Sequence, residues 1–490
     1  MSAENPHESG IRDGGVHMSG VHKGKDVRTG AHPREGKVNG AHVGAGRVGD
    51  VHVGNVVEFH DAMLPEGVPD DVRADVAAGD LGYACLAPFH SPDPGLVLVP
   101  EFDGEPWWER QVALLGWDRF EPVTVPGPLG PGFAALGADP VLSARVRAAV
   151  DAGARLIPWG ESAPYREYAR DLPEAAAVRS TDAALPAFAE SKASSPELFA
   201  KAHNALDSPD GIHLTGERLC ESEPDLVATL VDAGARGRTV VLKAPFGVGG
   251  YGTAVLSPHR TSTRRAVLET LARLREDDTF HNGLPTIVQD YQWRSDLPWS
   301  DVSGDCTIDH LGRVRLEGVT AMAMNGTQFA GGVTDDGVVI APARSALLSA
   351  FCVAVGEQLA LVGYRGWFDI DFLVRPTGEL VPLEINARRT GTTAPLSVQT
   401  CLRARRGRDV TVISRDVIAL PSRHASRPAF ARFARAVELA GLAADVVPTL
   451  VAGTDAALPH LGVVVAADDA ADAVRKLAHC VDALVTEFRS

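Results

Sequence analysis

Several things are scarce in this chain. It has no C-x-x-C pair, and its six cysteines (Cys85, Cys220, Cys306, Cys352, Cys401, Cys480) lie far apart. In a chain this long, that spacing argues against a disulfide framework and predicts buried, reduced thiols. No uninterrupted apolar run approaches the roughly 20 residues that a membrane span needs. The opening MSAENPHESG has neither the charged n-region nor the apolar core of a secretory signal. The expectation is a cytoplasmic protein that does not enter a membrane. Positive charge is also short: 47 basic against 63 acidic residues leave a formal charge of −16 at pH 7. That balance argues against nonspecific binding to nucleic acid, while leaving room for a local basic pocket for phosphate.

What is present is enough for two to four packed units, since 490 residues exceed one ordinary domain. Residues 1–55 form an unusual opening in which His17, His22, His32, His42 and His52 recur among many glycines. A His-rich tract can bind metal. A Gly-laden repeat without bulky apolar residues cannot offset its ordering entropy, so a disordered tail is the expectation.

Residues 56–184 read as a small α/β domain. GLVLVPEF is a buried strand, PWWERQVALLGW a helix, and VLSARVRAAVDAG a helix leading into the strand ARLIPW. Alternating strands and helices imply a parallel sheet. Residues 185–408 change character. SPELFAKAHNAL is a helix with Ser195 as the expected N-cap before Pro196. TVVLKAPF and GTAVLS are strands around a glycine loop, and LPTIVQDY is another strand. DCTIDHLGRVRLEGVTAMA is two strands turning at Gly312, and SALLSAFCVAVGEQLALVG a buried helix. WFDIDFLV and LVPLEINA make a hairpin through the turn RPTGE. Residues 409–490 read as a small α/β cap.

The loop KAPFGVGGYG raises the first chemical question, because Gly247, Gly249 and Gly252 spell G-x-G-x-x-G. A dinucleotide fold requires a helix after the glycines, but the β-forming TAVLS follows here. No G-K-[ST] follows either, and no H-R-D or D-F-G occurs. The loop therefore joins two antiparallel strands, with Lys243 on the strand that feeds it. A second constellation lies in the late hairpin. Alternation puts Glu384 and Asn386 on one face of its second strand, with Asp371 on the facing strand and Arg388 beyond. Hard oxygen donors of this kind suit Mg²⁺ bridging nucleotide phosphates, and a guanidinium fork suits phosphate or carboxylate.

A lysine-bearing strand, a glycine hairpin and then D-(x)12-E-x-N-x-R resembles the ATP-grasp carboxylate–amine ligases over about residues 185–400. The resemblance implies an α/β (α+β) protein: an ATP-grasp fold, a parallel-sheet domain before it and a small α/β domain after it. It implies ATP and Mg²⁺ (or Mn²⁺) as cofactors. Lys243 and Lys192 match phosphate-binding lysines, and Gly247, Gly249, Gly250 and Gly252 match the lid over the transferred phosphate. Gln289, Asp290 and Tyr291 match the linker that grips adenine, although Gln289 stands where the family usually has Glu. Asp371, Glu384 and Asn386 match the metal ligands. Lys243 and Arg388 match catalytic cations, with Asp369 and Arg389 in support.

The tail, with LPSRHASRP and LGVVVAADDAADAV, resembles that of the pheganomycin-type peptide ligases. The implied reaction is ADP-forming amide synthesis between a small-molecule acid and an amino acid or peptide, in peptide natural-product biosynthesis. A homo-oligomer is compatible with it. Two alternatives stay open: a ligase using a single amino acid or a thiol as acceptor, and a nucleotide-binding regulator without turnover.

Overall fold

All seven residues of PGLVLVP are buried, as a strand covered by helices on both faces requires. This is β2 (Pro94–Pro100), and it lies inside a four-stranded parallel sheet with β1 (Asp50–Val53), β3 (Glu121–Val125) and β4 (Leu156–Pro158) in the order β3-β2-β1-β4. The computed structural model describes residues 48–490 except 128, 249, 294–298, 300, 326–327 and 335–341. The expected disordered tail therefore falls outside the described residues up to residue 47, with His17, His22, His32 and His42. Its last part does not fit that expectation, because β1 is an inner strand with every residue buried. His52 is a satisfied core histidine that contacts the Ala87 carbonyl at 2.8 Å and Ser91 Oγ at 3.0 Å.

A second four-stranded sheet is antiparallel and holds the glycine loop. β5 (Glu217–Cys220), β6 (Val240–Lys243), β7 (Thr253–Leu256) and β8 (Thr286–Asp290) are ordered β5-β8-β6-β7. Helices Glu223–Ala235 and Arg264–Asp277 cover it, burying Leu226, Leu230, Val267 and Leu271 against Leu242 and Val288. Each helix begins at a hydroxyl cap that accepts a backbone N–H, Ser222 for the first and Thr263 for the second.

The third sheet has eight strands. β9 (Asp301–Ile308), β10 (Val314–Asn325), β11 (Gln328–Thr334), β12 (Gly366–Val374), β13 (Leu380–Asn386), β14 (Thr411–Ala419), β15 (Val446–Pro448) and β16 (His460–Ala467) run β13-β12-β9-β10-β11-β14-β16-β15. Every neighbouring pair is antiparallel. Helix Pro342–Val362 packs on one half, with Leu348, Phe351, Val355 and Leu359 in the core. Its stretch Arg344–Val362 is long and apolar enough, by length and composition alone, to cross a membrane. Helix Ser195–Ala205 packs beside it. Its N-cap is Ser194, not Ser195 as expected, and the Ser195 hydroxyl instead accepts the Ile385 backbone N–H at 3.2 Å, tying the helix to β13.

The tail does not build a sheet of its own, since β14, β15 and β16 extend the large one. Its helices Ser426–Leu439 and Ala470–Arg489 share a core with Trp107 of helix Glu105–Leu115, whose ring lies 5.1 Å from Phe430 and 5.2 Å from Phe433. Trp107 is fully buried, so Trp107→Ala should cost about 3–5 kcal/mol by the usual cavity and transfer terms. Denaturant midpoints measure this directly. An unchanged midpoint would mean that the first sheet and the tail do not share a core.

Candidate functional site

The late hairpin sets the site by register. β12 and β13 pair Asp371 with Glu384 and Asp369 with Asn386, while β9 sets Ser303 beside Asp371 and Asp305 beside Asp369. Side chains alternate along a strand, so these residues share one face and the apolar residues between them take the other. Phe368, Ile370, Phe372 and Ile385 are indeed fully buried in the core below. The result is a row of acids on a rigid sheet.

Two lysines reach Glu384 from other elements. Lys192 Nζ lies 3.3 Å from Glu384 Oε1, and Lys243 Nζ lies 3.4 Å from Oε2 and 3.3 Å from the Leu383 carbonyl. Both lysines are buried. Lys243 is delivered by the end of β6, and Lys192 is fixed by its backbone N–H bond to the Pro245 carbonyl at 2.9 Å. Burial opposes ionisation of Glu384, but the charges of Lys192 and Lys243 hold its carboxyl down at about 2.

The other acids behave in the opposite way. Burial, then the neighbouring Asp369 and Glu384 charges, pushes Asp371 well above the usual carboxylate range. Burial and the Asp305 charge push Asp369 up to about 8, and burial raises Asp305 to about 7. Asp305 Oδ1 accepts from Thr392 at 3.0 Å and from the Trp367 indole at 3.2 Å, while Oδ2 has no partner among the described residues. A concentration of buried carboxylates that resist ionisation is what a cation would relieve, and carboxylate and amide oxygens suit Mg²⁺.

The metal set expected from the sequence, Asp371, Glu384 and Asn386, is thus brought together, but each member already has contacts. Asn386 donates to Asp369 at 2.7 Å and to Asp371 at 3.4 Å, and both Glu384 oxygens face lysines. Among the described residues no group of three or more His, Cys, Asp or Glu side chains is arranged to hold a metal as it stands. Arg388 is held by Glu190 at 3.1 Å and reaches Asn386 Oδ1 at 3.5 Å. Glu190 also accepts the Ala387 backbone N–H at 2.6 Å, which fixes the chain just past β13.

Gly249 lies outside the described residues. Gly250 and Gly252 adopt φ of 94° and 78°, the left-handed region where a side chain is strained. A Cβ on Gly247 would stand 2.4 Å from the Tyr251 carbonyl. The loop is pinned on its outer side: Gly252 N–H donates to Asp278 at 2.7 Å, and Tyr251 stacks on Phe280 with ring centroids 5.5 Å apart. The Gly252 N–H is therefore not open to a phosphate here.

The expected linker residues are likewise engaged. Gln289 is buried, with its amide on Thr215 at 3.2 Å and on Glu217, its register partner on β5. Asp290 is ion-paired with Arg238 at 2.8 Å. Its N–H donates to the Gly216 carbonyl, and the N–H of Tyr291 to that of Thr239. Sequence reasoning missed Glu190, Glu217 and Asp305. A signal existed for the last, since Asp301, Ser303 and Asp305 alternate along β9 with period two.

No protein-family model matches the chain, and no curated protein is similar to it in sequence. Solved structures are similar in shape. The biotin carboxylase–β-γ-ATP complex from Campylobacter jejuni superposes with a TM-score of 0.50 at 12% identity, over 91% of this chain and 96% of that one. N5-carboxyaminoimidazole ribonucleotide synthetase from Thermus thermophilus gives 0.46 at 15% identity, over 88% and 97%. At such identities the likeness is one of fold. The chain has the ATP-grasp fold, with a parallel-sheet domain before it.

Proposed function

We propose that the protein is an ATP-dependent ligase that activates a carboxylate as an acyl phosphate, joins it to an amine, and releases ADP and phosphate. The observation that carries the reading is Glu384 clasped between buried Lys192 and Lys243, beside Asp369 and Asp371 of β12, with Lys243 at the end of the strand that feeds the glycine loop. Two lysines converging on one carboxylate form a polyanion site whose present occupant is a protein side chain. An incoming polyphosphate competes for the lysines and frees Glu384 for a metal.

A carboxylate resists attack because its charge repels nucleophiles and oxide is a poor leaving group. The acid's oxygen attacks the γ-phosphorus of ATP, the bond from that phosphorus to the β-bridging oxygen breaks, and ADP departs with the electron pair. The amine nitrogen then attacks the acyl carbon, the carbon–oxygen bond to phosphate breaks, and the nitrogen sheds a proton to solvent. Lys243 holds the inner phosphates while the outer one moves. Arg388, positioned by Glu190, presents donors to the acid or to the transferred group. A bound magnesium or manganese ion supplies neutralisation of charge developing on the phosphoryl oxygens, and Asp371, Glu384 and Asn386 are the residues that would hold it. The amine belongs to an amino acid or peptide on the strength of the tail motifs LPSRHASRP and LGVVVAADDAADAV.

The test is the identity of the products. With ATP, magnesium, candidate acids and amines, ADP should form in step with amide. Hydroxylamine in place of the amine should trap a hydroxamate, and chelation should stop both. AMP and pyrophosphate as products would overturn the proposal.

A further inference from the structure

Beyond the hairpin row lies a cavity of about 440 Å³, between β4 and the starts of β10 and β12. Two of its walls are joined where Gly160 bridges Arg388 and Arg389 N–H donates to the Trp159 carbonyl at 2.9 Å. The cavity runs along the whole of β4, the edge strand of the parallel sheet, from Arg155 to Glu161. Its size suits a small metabolite.

The charge of this cavity is opposite to that of the protein. Six arginines line it (Arg155, Arg313, Arg315, Arg365, Arg388, Arg389), against two acids, Glu161 and Asp309. Four of the arginines have carboxylate partners: Asp50 for Arg155, Asp309 for Arg313, Glu317 for Arg315 and Glu190 for Arg388. The other two are bonded to carbonyls. Arg365 donates to Ala360 O at 3.0 Å and Tyr364 O at 2.7 Å. Arg389 donates to His90 O at 3.3 Å and Pro158 O at 2.7 Å, with its guanidinium 4.8 Å over the Trp367 ring. Carbonyls satisfy N–H groups without cancelling charge, so a buried guanidinium held this way still favours an anion. In keeping with that, burial and the Arg155 charge bring Arg389 down to about 9. The buried Trp159 indole N–H, on the cavity wall, has no partner among the described residues.

We propose that this cavity holds the acid substrate and that Arg365 and Arg389 bind a second anionic group on it, making the substrate a dicarboxylic acid or its phosphorylated equivalent. This rests on the ligase reading, which puts the reacting carboxylate at Arg388, the residue shared by the cavity and the hairpin row. The second anion lies on the two guanidinium groups that have no carboxylate partner among the described residues, and its carbon body packs against Trp159 and Trp367.

The experiment compares adipate with hexanoate by calorimetry on the full chain, with and without ATP and magnesium. A hexanoate bearing a terminal phosphate forms a third arm. Adipate should bind at least tenfold more tightly than hexanoate, and Arg365→Gln should remove most of that preference while leaving nucleotide affinity within twofold. Tighter binding of the phosphate arm than of adipate would retain the second anion and name it. Equal affinities for adipate and hexanoate in the unaltered protein would overturn the inference, with no variant needed. So would a preference that survives both Arg365→Gln and Arg389→Gln. Products are scored separately: a preference for adipate without ADP release would sink the ligase reading and keep the anion site, and ADP release without the preference would do the reverse.

Discussion

Glu384→Gln should lower ADP formation by about 10³-fold and leave nucleotide affinity within a few-fold, because one carboxylate serves two partners in succession. Without nucleotide it neutralises Lys192 and Lys243, whose Nζ atoms lie 3.3 and 3.4 Å from its oxygens. On the proposed ligase reading, phosphates would take over the lysines and Glu384 would turn to a metal. Gln keeps the shape and loses the charge. The lysines are then freer to meet phosphates, so binding holds or tightens. Charge that develops during transfer loses a ligand, and a single preorganised electrostatic contact of that kind is worth about 10²–10³ in rate. Removing one partner from a buried ion cluster also destabilises, by about 3–5 kcal/mol where the remaining charge is left unpaired. The melting temperature must therefore be followed with and without ATP, and ATP should restore much of the loss. Asp371→Asn gives an independent check, since its carboxylate pairs with Glu384 in register without touching a lysine in the described structure. Turnover within threefold of the unaltered protein for both variants would mean that the acid row is not where transfer occurs.

The legible part of this site was the part written in short range. Asp371, Glu384 and Asn386 occupy a hairpin whose turn and alternation are local, so period and spacing suffice to put them on one face. The glycine loop could be read as a hairpin because β-forming residues flank it on both sides. The clasp of Glu384 by Lys192 could not be read: it depends on the backbone bond from Lys192 to Pro245 and on the packing of helix Ser195–Ala205. Asp305 was missed because β9 and β12 are separated by two strands and a helix in sequence yet are neighbours in the sheet. β1 is hidden in the sequence for a related reason. DVHV looks like one more copy of a Gly/His repeat, and only contacts with Arg155, Ser91 and Ala87, all distant in sequence, make Asp50 and His52 tolerable in a core. The tail looked like a separate cap because its strands and helices alternate locally. Their membership of the large sheet is a matter of partner choice that no local pattern records.

The role of Lys243 can be separated from that of Glu384 by asking which nucleotides notice its loss. Lys243→Ala should weaken ATP and ADP alike, by about 10- to 100-fold, the range expected for hydrogen bonds to charged groups at a buried site. The equality matters more than the size. Lys243 sits at the end of β6, immediately before the glycine loop, with its ammonium against both Glu384 and the Leu383 carbonyl. On the proposed reading, a lysine fixed at the root of the loop would meet the phosphates nearest the nucleoside, which ATP and ADP share. On the same reading, the phosphate that leaves falls to the acid row. Lys192 remains beside Glu384 in this variant, so the carboxylate keeps one cation and the hairpin is not left with a bare buried charge. Calorimetry with ADP, then with a non-hydrolysable ATP analogue, reads the two affinities without turnover. A loss confined to the ATP analogue would move Lys243 to the terminal phosphate and make it a participant in transfer. Unchanged affinity for both would place the nucleotide somewhere other than the glycine hairpin, and the ion pair with Glu384 would then be structural.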